Sequence, residues 1–220
     1  GLRGKVVVVV VDAVGISDFP SGLTPFCSRL AGESSVGLMP APESGGGSLE
    51  GKTGAYASMG AGVRIRGSAP AALSFNSTEM LAPGCEAGRF FSSRTGYAAP
   101  PEGVVCNGWQ IFMAENGGAG GVIPGLLGET LADAGITAAV AGNSDTIEGP
   151  RRLAPLICCD KKGTVPLGDV GGGTNTAAPG FPGGYRTDSV KLVRECRLLL
   201  ERADVLVVDT GDTSRLDAEW

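Results

Sequence analysis

Residues 44 to 54 read SGGGSLEGKTG, and within them Gly46-x-x-x-x-Gly51-Lys52-Thr53 matches the phosphate-binding loop of nucleotide hydrolases. In such a loop the backbone N–H groups curl round the phosphates, the Lys reaches the terminal phosphates and the Thr hydroxyl holds magnesium. ADVLVVDTGD, at 203 to 212, would add Asp209 as the acid near that magnesium. The surroundings argue against this use. Pro40, Pro42 and Glu43 separate the loop from a strand ending near Met39, where a tight turn is required, and Glu50 would put negative charge beside the phosphates.

A second chemistry uses the same threonine differently. Asp12 ends the apolar run that opens the chain, Asp209 and Asp212 end the last such run, and Asn143 and Asp145 follow ITAAVAG. In open α/β sheets, ligands bind outside the carboxyl ends of the strands. Acids gathered there repel one another unless a cation is bound. Each alone would serve as a helix cap or turn former; their joint placement points to a cation site. Thr53 would then begin a helix over residues 53 to 62. A hydroxyl there feels the positive end of the helix and, held also by a divalent metal, could ionise and attack phosphorus. The everyday role of such a threonine is an N-cap, and one residue can fill both.

The elements that must position these groups alternate. KVVVVVVDAVG is β-branched without alternation, as in a strand covered on both faces of a parallel sheet. Thr24 and Pro25 start a helix over 24 to 33, and SSVGLM reads as a second strand. Residues 64 to 121, rich in Gly, Pro and Ser, read as an irregular insertion over one face, with a strand or helix at GWQIFMAE. The regular pattern then resumes: a helix ending at Gly135, the strand ITAAVAG, the strand APLICCD, and KKGTVPLGDVGGG as a strand turning into a loop. A strongly periodic helix capped by Thr187 or Asp188 and the strand DVLVVD follow. Alternating strands and helices give an α/β fold with a mostly parallel sheet in one domain spanning residues 1 to 220.

The composition narrows the function classes. A net charge of −5 lacks the clustered Lys and Arg that a nucleic-acid surface uses, so no nucleic-acid partner is expected. The six-residue valine run is far below membrane-spanning length, and no transmembrane segment is expected. The chain has no His, so its chemistry falls to carboxylates, hydroxyls, thiols, Lys and Arg. The six cysteines include no C-x-x-C; Cys158 and Cys159 read as core residues, while Cys85 and Cys106 could pair in an oxidising compartment.

Taken in order, VVVVVVDAVG, the glycine-rich loop, KTGAYASMGAGVR, LLGETLADAGITAAVAGNSDT and ADVLVVDTGDTSRLD resemble the N-terminal part of the alkaline phosphatase superfamily. That group includes nucleotide pyrophosphatases, cofactor-independent phosphoglycerate mutases and sulfatases. The resemblance implies a three-layer α/β sandwich and two divalent metal ions, zinc or manganese, acting on a phosphate-ester substrate. It also implies an extracytoplasmic or membrane-anchored parent protein. Asp12 matches the first metal ligand, Thr53 the nucleophile and metal ligand, and Ser58 is a second nucleophile candidate one turn deeper. Asp212 matches the acid of an Asp-x-x-x-His ligand motif, with Asp209 beside it. Leu216 stands where that motif has His, and Asp217 is next. The later His ligands of the family would fall after Trp220, so a fragment of a longer enzyme is expected. Two alternatives remain: a non-catalytic member with a binding or envelope role, and a nucleotide hydrolase with Lys52 on the phosphates.

Overall fold

The computed structural model describes residues 4–15, 24–37, 48–116 and 122–217. The first segments hold β1 (Val6–Val10), α1 (Pro25–Glu33) and α2 (Leu49–Ala61). Then come β2 (Ser74–Asn76), β3 (Met80–Ala82), β4 (Cys85–Glu86), α3 (Ala87–Thr95), β5 (Val104–Cys106) and α4 (Trp109–Asn116). The chain continues through α5 (Leu126–Asp133), β6 (Ala138–Ala141), α6 (Pro155–Cys158), β7 (Thr164–Val165) and β8 (Leu167–Asp169). Last are β9 (Asn175–Ala177), β10 (Tyr185–Thr187), α7 (Ser189–Arg202), β11 (Val205–Asp209) and α8 (Asp212–Asp217).

Among the described residues the central sheet has four strands in the order β1-β11-β6-β8, every pair parallel. Its register brings the strand ends level: Val10 lies opposite Asp209, Val208 opposite Ala141, and Ala141 opposite Asp169. Residues that follow these strands therefore share one rim, which is how Asp12, Asp209, Asn143 and Asp145 come to the same edge.

Side chains of the middle strands alternate between two cores. Val140 and Val207 pack with Tyr56, Ala57, Leu156 and Ile157, whereas Ala139, Leu206 and Val208 pack with Leu192 and Leu199 of α7. Helices thus cover the middle of the sheet from both sides, and burying each such aliphatic side chain contributes about 1.5–3 kcal/mol. Asp188 starts α7 by accepting the Val190 and Lys191 N–H groups.

The sheet departs from expectation at β1. Val8 and Val10 lean on the first core, but Val7 is 47% and Val9 57% exposed. The reason is position: among the described residues β1 is the edge strand, and α7 crosses β11 and β6 instead. An unbroken valine run marks a strand able to be covered twice, which this neighbour set does not do. α1 starts at Thr24 and Pro25 as expected, though the Thr24 side chain makes no capping bond and no residue of the helix is buried.

Three further expectations are corrected. APLICCD is not a strand: Pro155 begins the short helix α6, and a fully buried apolar run suits a helix turn as well as a strand. Residues 64 to 116 are not irregular. They carry α3, α4, the β3–β4 hairpin and two strands of an antiparallel sheet ordered β2-β5-β7. Ser34–Gly37 form no strand. Leu38 and Met39 of that expected strand, residues 117 to 121 of the insertion, and Gly46 of the glycine loop lie outside the described residues. Among the described residues no helix is long and apolar enough to cross a membrane. Cys85 and Cys106 are free thiols.

Candidate functional site at the carboxyl rim

The rim forms where β1 and β11 end beside the start of α2. Gly142 (φ 85°) and Gly211 (φ 74°) let the chain turn there, and both sit so close to a neighbouring carbonyl, of Asp209 and Asn143 respectively, that a Cβ would collide with it. The ends of β6 and β11 are therefore locked against each other.

α2 begins earlier than expected. Ser48, not Thr53, is its cap: the Ser48 hydroxyl accepts the Gly51 N–H at 3.1 Å, and Glu50 occupies the acid-favouring first turn. Thr53 is consequently in the second turn and fully buried. Its hydroxyl donates to Glu50 O at 3.0 Å and accepts from Ser68 N at 2.9 Å. Ser58 is likewise bonded within the fold, donating to Gly54 O at 2.6 Å and accepting from Ile65 N at 2.9 Å. Both candidate nucleophiles tie α2 to the segment that follows it.

The residue of α2 that does reach the acids is Lys52. Its Nζ lies 2.9 Å from Asp217 Oδ2, 3.6 Å from Asp12 Oδ2 and 3.2 Å from Ser214 Oγ. Ser214 Oγ donates to Asp12 Oδ2 at 2.6 Å, and Thr213 Oγ1 donates to Asp12 Oδ1 at 3.4 Å. Asp12, Lys52 and Asp217 thus make one part-exposed cluster over Ser214, which is itself buried.

Beneath the cluster lies Asp209. It is 1% exposed; Oδ1 accepts the Gly211 N–H at 2.9 Å, and Oδ2 has no hydrogen-bond partner. Burial, then the charge of Asp12, pushes its carboxyl up from 3.8 to about 7. The Tyr56 hydroxyl is also buried without a partner, and burial together with the charges of Asp209 and Asp12 drives that phenol upward. An orphaned carboxylate oxygen costs free energy unless something fills the space beside it.

Asp212 is held apart from these groups. Its Oδ1 accepts from Thr187 N at 2.8 Å and from Arg215 Nη1 at 2.9 Å. Arg215 is completely buried and also donates to Asp145 O, Asn143 O, Asn175 Oδ1 and Thr187 Oγ1. Asp145 itself pairs with Arg152 through Nε and Nη2. The structure therefore gathers Asp12 and Asp217 round Lys52, with Asp209 buried near Asp12, while Asp212 and Asp145 belong to an arginine network. Among the described residues no three His, Cys, Asp or Glu side chains are placed together to hold a metal ion.

Sequence reasoning missed Ser214, Tyr56 and Arg215. Arg215 had a readable signal, an Arg three residues after Asp212 just past a strand, which puts both on one helix face. Ser214 and Tyr56 had none. Comparison with protein-family models, curated proteins and solved structures finds no match, so geometry alone carries the reading.

Proposed function

We propose that this chain is the core of a divalent-metal-dependent phosphoric ester hydrolase or phosphotransferase, with a three-layer α/β sandwich of the alkaline phosphatase kind. The observation that carries it is Asp209: buried at the end of β11, one carboxylate oxygen unpartnered, beside Asp12. The unpartnered oxygen of Asp209 would face one cation, zinc or manganese, in the field of the Asp12 charge, although among the described residues no three His, Cys, Asp or Glu side chains are placed together to complete such a site. A cation held there would offset the charge of phosphoryl oxygens. The chain's own groups do the rest. Lys52 supplies a fixed positive charge at the mouth, and Asp12 Oδ2 accepts the Ser214 hydroxyl, with 2.6 Å between the oxygens. The substrate is a phosphate ester, admitted where Lys52 and Asp12 stay partly exposed.

Manganese or zinc titrated into the chain should bind with a stoichiometry of about one, and Asp209→Asn should abolish the heat. Cation-stimulated hydrolysis of p-nitrophenyl phosphate should vanish with it. Absence of both binding and turnover in the parent chain would sink the proposal.

A second reading, a binding role without catalysis, draws on the pairing of Lys52 with Asp12 and Asp217 and of Arg215 with Asp212. These internal cations already compensate much of the rim. Cation binding without ester turnover would favour it.

A further inference from the structure

The hydroxyl expected to attack phosphorus, on Thr53, is buried and spent on Glu50 O and Ser68 N. Ser58 is spent on Gly54 O and Ile65 N. Neither bonds to a carboxylate or an amine. A nucleophilic hydroxyl needs a base within about 2.6–3.2 Å and a third group that orients the base. Ser214, on α8, has that surrounding. It donates to Asp12 Oδ2 at 2.6 Å and accepts from Lys52 Nζ at 3.2 Å. Asp12 is in turn fixed by Lys52 at 3.6 Å and by Thr213 Oγ1 at 3.4 Å. Lys52 is fixed by Asp217 at 2.9 Å.

We propose that Ser214 is the nucleophile of this site. The assignment rests on the phosphoric-ester reading and names the residue that carries it out. Ser214 Oγ forms a bond to phosphorus as the bond from phosphorus to the alcohol oxygen breaks. The Oγ proton passes to Asp12 Oδ2. The electron pair leaves on the alcohol oxygen, which takes that proton from Asp12, so Lys52 keeps its charge throughout. Water then attacks the phosphoserine with Asp12 again as base, releasing phosphate and the Ser214 hydroxyl. Lys52 also lies beside the oxygen that gains charge during attack, where a fixed cation stabilises the transition state.

A fluorophosphate probe tests the nucleophile without relying on ester turnover, because attack forms the Oγ–phosphorus bond and expels fluoride. The full chain is labelled, digested and sequenced by mass spectrometry, and p-nitrophenyl phosphate turnover is followed in parallel. Label on Ser214 is expected, with Ser214→Ala losing it. Asp12→Asn, which keeps the hydroxyl, should slow labelling on the order of a hundredfold. Circular dichroism confirms that both variants are folded. Label on Thr53 or Ser58, no label, or an unslowed Asp12→Asn overturns the assignment. Labelled Ser214 without ester turnover leaves the nucleophile standing and removes the phosphoric-ester reading instead. Turnover that survives Ser214→Ala removes the nucleophile and leaves the reading.

Discussion

Arg215 and Lys52 stand at two ends of one rim, and each faces acids that would otherwise repel. Arg215 has no exposed surface, and its guanidinium is divided among Asn143 O, Asp145 O, Asn175 Oδ1, Thr187 Oγ1 and Asp212 Oδ1. Lys52 keeps 14% of its side chain in solvent and meets Asp12, Asp217 and Ser214. The planar fork of an arginine matches several acceptors at fixed angles, whereas an ammonium is a point charge that can swing away. The difference separates a part of the rim that holds the loops in place from a part that can exchange partners. Chemistry belongs to the second.

The sharpest way to break this comparison is to remove the arginine. Arg215→Met leaves two buried carbonyls of the loop after β6 and the Asp212 carboxylate without this donor. Losing one member of a buried charged network costs about 3–5 kcal/mol. Urea denaturation should show that loss, and Arg215→Lys should recover little of it, since one ammonium cannot reach five acceptors. A loss below about 1 kcal/mol would mean that the network is not a lock.

Asp209 gives the next largest effect, with the opposite sign at neutral pH. Its carboxyl sits at about 7 in the folded chain against 3.8 ordinarily, raised first by burial and then by Asp12. The folded state thus holds a proton that the unfolded state has released. Its favourable contribution is complete below the ordinary value and is lost as pH rises through about 7. Charging it in place costs on the order of 4 kcal/mol at most. Asp209→Asn should therefore stabilise the metal-free protein above neutrality and flatten the decline of stability between those two pH values. A pH profile identical to that of the parent would show that Asp209 is not buried against Asp12.

How much of this was legible beforehand differs between the strands and the rim. The parallel sheet was readable because valine runs and the periodic helix over Ser189–Arg202 have local signatures. The carboxyl-edge placement of Asp12 and Asp209 followed from strand ends alone. The start of α2 was misplaced because the reading favoured Thr53 in the pattern over Ser48, whose capping bond is equally ordinary. α6 was misread because complete burial erases periodicity. The contacts of Lys52 and Ser214 join residues 162 positions apart, and no spacing rule reports such a meeting. The exposed face of β1 was hidden for a related reason: a valine states what a strand can bury, not which neighbour arrives to bury it.

The smallest expected effect on stability is also the most informative about Lys52. Part-exposed ion pairs are worth about 0–1 kcal/mol, because the ammonium gives up hydration and side-chain freedom to make them. Lys52→Met should therefore cost about 1 kcal/mol or less in urea denaturation, and much of that cost should disappear in high salt, which screens Asp12 from Asp217. A double-mutant cycle with Asp217→Asn should give a coupling of the same small size. Fluorophosphate labelling of Ser214 should nevertheless fall by tenfold or more, since the charge beside the attacked centre is gone. That split, a large chemical loss with a small structural one, is what Arg215→Met cannot produce. If Lys52→Met instead unfolds the chain as Arg215→Met does, the two ends of the rim are alike, and Lys52 is a second lock rather than a working group.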